Sequence, residues 1–177
     1  SACAPPIIYL ASDGGRNPTE HGRVLATREK VLAAIDWQCK VYIKFNDVNL
    51  GCKYAVHSAI QWFFENVTEG IVLEDDCVPS NAFLNYAEKM LDSYRDVAEV
   101  GTIAGRNEVA HFGAEDPIFC SKFFCWGWAS WADRIQGVDV EAGYGKKILS
   151  DLIDGLGYLE AQHLRGMHSL MLRRQVN

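Results

Sequence analysis

Between Ile7 and Ala104 this chain alternates strand-like and helix-like segments at short, regular spacing. That alternation constrains the fold more than any other feature, because strand-helix-strand repeats imply βαβ units with helices on the faces of a sheet. Ile7-Ile8-Tyr9-Leu10-Ala11 is the first strand, ending in the permissive Gly14-Gly15 loop. Asn17-Pro18-Thr19-Glu20 then reads as a helix start, with Asn17 as N-cap, Pro18 at the first helical position and Glu20 closing a capping box. Val24, Leu25, Val31, Leu32 and Ile35 fall on one face of that helix, with Arg23, Arg28, Glu29 and Lys30 elsewhere. Lys40 to Phe45 alternates as a strand. A second helix follows from Cys52, with Ala55, Val56, Ala59, Ile60, Phe63 and Phe64 as its apolar face. Ile71 to Leu73 is a short buried-strand pattern, and Ser80 opens a third helix bearing Phe83, Leu84, Ala87, Met90, Leu91 and Tyr94. Val100 to Ala104 reads as a further strand. Ile118 to Phe124 is a candidate strand, Trp126 to Trp131 a candidate helix start, and 146–177 a helical tail broken by Gly155 and Gly157. The expected architecture is α/β, a three-layer sandwich with a mainly parallel sheet, in one domain over 1–177.

The acidic stretch Leu73-Glu74-Asp75-Asp76-Cys77-Val78-Pro79 stands at the end of the third strand. Open α/β sheets place ligands at the carboxyl ends of their strands. In an extended chain Glu74 and Asp76 point to one side and Asp75 to the other. A divalent cation with oxygen ligands would offset their mutual repulsion and would in turn hold a diphosphate. The alternative is a solvated acidic turn beside a helix N-terminus.

Composition narrows the classes. With 49% hydrophobic and 23% charged residues the chain suits a globular domain. A net charge of −6 without a basic stripe argues against a nucleic-acid partner. No apolar stretch reaches the length of a membrane span, and no signal peptide is evident at the start. Six cysteines without a CxxC pair read better as free thiols in a reducing cytoplasm than as a disulfide framework.

Five motifs occur in order: Ser12-Asp13-Gly14, Asn49-Leu50-Gly51-Cys52, Trp62-Phe63-Phe64, Leu73 to Pro79, and Trp126-Gly127-Trp128-Ala129-Ser130-Trp131. Over roughly 7–135 the chain resembles nucleotide-diphospho-sugar transferases of the GT-A fold, in particular a bacterial group of glycosyltransferases. It is more distantly similar to the N-acetylglucosaminyltransferases. The resemblance implies transfer from a nucleotide-diphosphate sugar, first a UDP-sugar, with Mn²⁺ or Mg²⁺ as cofactor. Asp76 would be the metal ligand of the DxD-like triplet, with Glu74 and Asp75 on the ribose, the sugar or metal-bound water. Asp13 and Arg16, with Asn49 and Gly51, would serve the nucleotide. Residue-level alternatives stand beside this: Asp13 bonding its own turn, and Asn49 and Gly51 capping a helix. Trp126 and Trp128 would border the acceptor pocket, whereas Trp131 suits core packing.

An inverting reaction needs a carboxylate base, and Glu108, Glu115, Asp116 and Asp133 are the candidates. Ser121-Lys122-Phe123-Phe124 stands where the N-acetylglucosaminyltransferases carry an aspartate, so the base is unassigned. The histidines His21, His57, His111, His163 and His168 lack ligand-like spacing. The family has one more strand and helix before the segment matching Ile7, and a longer C-terminal region. An absent strand predicts an exposed sheet edge and a homodimer through it. A non-catalytic, oligomeric GT-A-like module is therefore the alternative reading, and an α/β domain whose acidic loop only caps a helix is a third.

Overall fold

A computed structural model describes residues 4–106, 117–120 and 123–138. The chain divides into two compact units, Ser1–Val138 and Asp139–Asn177. The second, with the helical tail expected over 146–177, lies outside the described residues, as do Glu108, Glu115 and Asp116.

The first unit is mixed α/β. Its elements are β1 (Ile7–Ser12), α1 (Pro18–Ala33), β2 (Lys40–Phe45), α2 (Gly51–Asn66), β3 (Glu69–Val72), α3 (Asn81–Ser93), β4 (Ile103–Ala104), β5 (Trp128–Trp131) and α4 (Ala132–Ile135). The helix starts follow from local chemistry. Asn17 caps α1 by accepting the Glu20 N–H at 3.0 Å, with Pro18 at the first helical position. Glu20 does not close the expected box onto Asn17. Its carboxylate reaches one residue further, to the backbone N–H and guanidinium of Arg16. Ser80 caps α3 through its hydroxyl, which accepts the Phe83 N–H at 3.1 Å.

The strands make two sheets, not one mainly parallel sheet. β1 and β2 pair in parallel, with Tyr9 opposite Tyr42. β3, β5 and β4 form the second sheet in the order β3-β5-β4, and both of its pairings are antiparallel. The acidic strand thus has an antiparallel neighbour supplied by the Trp128–Trp131 segment, which is a strand where a helix start was expected. Each face of this strand carries one indole and one small residue, Trp128 with Ser130 and Ala129 with Trp131, which suits a pleated, doubly covered surface, and all four residues of β5 are buried. The described residues of the Ile118–Phe124 segment contain no strand.

Each sheet carries helices. Tyr9 of β1 meets the rings of Trp62 and Phe63 of α2, each at 5.2 Å. Arg28 of α1 covers Phe45 on the other face of the β1–β2 sheet. In the second sheet, Trp128 stacks on Phe64 of α2, while the Trp131 indole N–H donates to the Leu91 carbonyl of α3 at 3.2 Å. The main core lies here: Ala87, Met90, Leu91, Ile103, Ala129 and Trp131 cluster, with Ile71, Phe83, Tyr94 and Val100 against them. The β1–β2 half is thinner. Leu25, Val31 and Leu32 of α1 stay exposed, and the buried residue of that helix is Arg28, which the apolar pattern had set on the solvent side.

Candidate functional site

Two groups of the expected site residues are brought together, in different places. The first is built on Asp13, at the carboxyl end of β1. α2 begins at Leu50 and Gly51 without a side-chain cap of its own. The Asp13 carboxylate supplies one from across the chain. It accepts the Leu50 N–H at 3.0 Å, the Gly51 N–H at 3.0 Å, the Asn49 amide at 2.9 Å and the Asn46 amide at 3.2 Å. Gly51 has φ +76°, which a side chain would make costly. Gly14 lets the strand end approach this loop, since a Cβ there would lie 2.6 Å from the Val48 oxygen. Partial burial pushes the Asp13 carboxyl up, but the bonds from Leu50, Asn46 and their neighbours outweigh it and hold the carboxyl below its ordinary range.

Arg28 completes this cluster, and neither its side-chain type nor its position on α1 had marked it. Its Nε donates to the Ser12 hydroxyl at 3.0 Å. Its Nη2 donates to the carbonyls of Ser12 (3.1 Å), Asp13 (3.0 Å) and Asn46 (2.8 Å). The guanidinium lies 4.5 Å from the Phe45 ring centroid. The signal available in the sequence was weak: an arginine one side of an amphipathic helix is ordinarily solvated. Arg16, by contrast, turns away from the cluster and forks onto Glu20.

The second group surrounds an open cleft of about 350 Å³ beside the acidic turn. Leu73, Asp76, Cys77, Val78, Pro79 and Ser80 of the acidic turn and its continuation line it, together with Phe83, Gly105, Trp126 and Gly127. The acidic residues are not extended. The Cys77 N–H donates to the Glu74 carbonyl at 3.1 Å, which closes a turn with Asp75 and Asp76 at its centre. The simple alternation that set Glu74 and Asp76 on one side therefore does not apply. Asp76 alone of the triplet lines the cleft. It accepts a weak bond from the Cys77 thiol at 3.7 Å.

Trp126, in the same lining, is half-exposed, and the Arg106 guanidinium lies 4.6 Å from its ring centroid. Gly127 turns the chain with φ +73°, and its carbonyl accepts the Gly105 N–H at 2.8 Å. Trp128 does not reach this surface. It is buried between Phe64 and Phe123, as Trp131 is buried against α3. Asp13, Asn49 and Gly51 do not line the cleft either.

Of the base candidates, Asp133 is described. It is exposed and pairs with Arg134 at 2.7 Å, away from the cleft lining. Among the described residues no group of three His, Cys, Asp or Glu side chains is placed to hold a metal ion. A single carboxylate still fits Mg²⁺ or Mn²⁺ chemistry, because such ions take one or two protein carboxylates and complete their shell with water and substrate phosphate. Among the described residues, no helix is long and apolar enough to cross a membrane. No family model, curated protein or solved structure matches the chain.

Proposed function

We propose that the chain is a metal-dependent glycosyltransferase-like protein that takes a nucleotide-diphosphate sugar, with a UDP-sugar the first donor to test. The observation that carries this reading is the cleft that Asp76 and Trp126 share. Its lining offers both a hard anionic ligand and an aromatic side chain, a combination that suits a charged diphosphate bearing a sugar ring. Asp76 would hold Mn²⁺ or Mg²⁺, with Glu74 and Asp75 on the same turn within reach of its waters. The bound cation supplies charge neutralisation of the departing diphosphate. Ser80, on the cleft wall, is the N-cap of α3, so the positive end of that helix favours the same negative charge. Trp126 would orient a sugar ring, and Phe83 and the Gly105–Gly127 backbone in the same lining would help keep water from it.

The Asp13–Asn49–Gly51 loop stands at the carboxyl ends of β1 and β2, where a nucleotide would be received. The GT-A fold itself is part of the proposal, supported by helices on both faces of each sheet. The free thiols of Cys39, Cys52, Cys77 and Cys125 support a cytoplasmic setting.

A non-catalytic GT-A-like module is the second reading. It is favoured by the Asp13 carboxylate, whose acceptor positions are occupied by protein donors rather than left for a ligand.

Calorimetric titration of UDP, with and without Mn²⁺, tests both. Mn²⁺-dependent binding that disappears in Asp76→Ala supports the sugar-nucleotide site, and turnover of a UDP-sugar then separates enzyme from module. Absence of UDP binding under either condition removes the first reading.

A further inference from the structure

The cleft beside the acidic turn has a charge imbalance that its own lining does not relieve. Among the described residues it is lined by one carboxylate, Asp76, and by no lysine, arginine or histidine. Glu74 and Asp75 stand in the same turn, so the chain brings three carboxylates to this place. One divalent cation cannot balance them and a diphosphate together, and a second positive group nearby would ease the entry of the anion.

The structure supplies that group at the end of the β4–β5 ribbon. Ile103 pairs with Ala129 and Ala104 with Trp128. The Gly105 N–H then donates to the Gly127 carbonyl at 2.8 Å, and both glycines line the cleft. One residue further along each segment stand Arg106 and Trp126. The Gly127 N–H turns back to the Cys125 carbonyl at 3.0 Å, which closes a γ-turn around Trp126 and fixes where its indole leaves the backbone. The Arg106 guanidinium lies over that indole, 4.6 Å from the ring centroid. Arg106 is therefore tied to two lining residues, by its peptide bond to Gly105 and by its contact with the ring of Trp126. A cation over an aromatic face is held by the ring's quadrupole and uses no N–H donor for it. The planar guanidinium fork matches a phosphate edge, whereas a lysine would offer a point charge without the fork.

We propose that Arg106 is the second anion-binding group of the cleft, receiving a phosphate of the diphosphate while Trp126 holds the guanidinium in place. The cation on Asp76 and the guanidinium on Trp126 then bind the same group from two attachments. Trp126 is still 47% exposed with Arg106 against it, so ring surface is left for a sugar. The identity of the ligand rests on the sugar-nucleotide reading, and the anion-binding role of Arg106 is tested apart from it.

Inorganic pyrophosphate, titrated calorimetrically into the full chain with Mg²⁺ present, is the probe. Wild type should bind it. Arg106→Ala should bind about 10- to 100-fold more weakly, the range for a lost bond to a charged group, and Arg106→Lys should fall between the two. A merely structural contact predicts another pattern: a lower thermal midpoint in Arg106→Ala with pyrophosphate affinity within about threefold of wild type. That pattern, or a wild type that binds no pyrophosphate, would overturn the proposal. If Arg106→Ala fails to fold, Arg106→Lys decides: weaker binding supports the fork, and wild-type affinity overturns it. Titrating UDP into the same variants separates the two readings. Pyrophosphate bound through Arg106 with UDP left unbound would refute the sugar-nucleotide reading and leave this one standing. UDP binding lost in Asp76→Ala but intact in Arg106→Ala would do the reverse.

Discussion

Replacing Asp13 by alanine tests whether one carboxylate holds the start of α2 to the end of β1. The side chain accepts two backbone N–H groups of an otherwise uncapped helix and two side-chain amides. Loss of an N-cap costs about 1 kcal/mol, up to about 2 in well-built cases. Bonds to a charged acceptor add more, but the site is only half-buried and water can replace part of what is lost. The expected destabilisation is about 2–3 kcal/mol, measured by urea unfolding monitored by circular dichroism. The pH dependence distinguishes this account from a simple loss of packing. The Asp13 carboxyl is held below its ordinary value of 3.8 in the folded chain. The unfolded state therefore binds more protons between the two values, and the contribution of Asp13 is fully present above the unfolded value. It should fade as pH falls below 3.8 through the lower folded value. The stability gap between wild type and Asp13→Ala should thus be constant at neutral pH and narrow in acid. A gap under about 0.5 kcal/mol, the range of ordinary surface substitutions, would refute the reasoning, as would a gap that stays constant through the acid range.

Two further substitutions probe the surroundings of the two groups. Arg28→Lys keeps the charge but cannot fork onto three carbonyls and a hydroxyl, and should cost about 2–3 kcal/mol in the same unfolding assay. Stability within about 0.5 kcal/mol of wild type would show that the charge alone suffices. Gly105→Ala would put a Cβ 2.6 Å from the Gly127 carbonyl and 2.9 Å from the Phe83 ring, so the cleft floor must shift. We expect a loss of about 1–3 kcal/mol and weaker UDP binding in calorimetry. Unchanged stability would mean that the Gly105–Gly127 contact yields freely.

The parts of this fold that are legible in the sequence are those set by neighbours along the chain. Asn17 and Ser80 sit one residue before their helices and cap them as their side chains allow. Lys40–Phe45 alternates and is a strand over that whole range. What escapes a linear reading depends on partners far away in sequence. Asp13 caps a helix that begins 38 residues later, so its own Asp-Gly context suggests only a local turn. Arg28 breaks the rule that a charged residue belongs on the solvent face, because the strand ends it holds offer only carbonyls and a hydroxyl. The Trp128–Trp131 segment reads as compact and apolar, and periodicity over so short a run cannot separate a strand from a helix. Its two-sided burial settles it, and that depends on α2 and α3 together. For the site, the acidic turn and the Trp-Gly-Trp segment stand out as separate motifs, with Asp76 and Trp126 50 residues apart, and the antiparallel pairing of β3 with β5 brings their segments to one cleft.

The distribution of polar and apolar cohesion explains why the β1–β2 half needs both Asp13 and Arg28. The second sheet is buried on both faces by aromatic and aliphatic side chains and holds the main core. The first has exposed apolar residues on α1 and β2, so burial there contributes less. Its connections run instead through one residue used twice. The main-chain oxygen of Asp13 accepts from Arg28 of α1, and its carboxylate accepts from the first turn of α2. Asn46 joins the same network, giving its carbonyl to Arg28 and its amide to Asp13. α1, the ends of β1 and β2, and the start of α2 are thereby tied at one point. A network of this kind is cooperative, and directional bonds fix geometry in a way that loose apolar contact does not. The loop from Asn46 to Gly51 is thus held in one conformation at the strand ends.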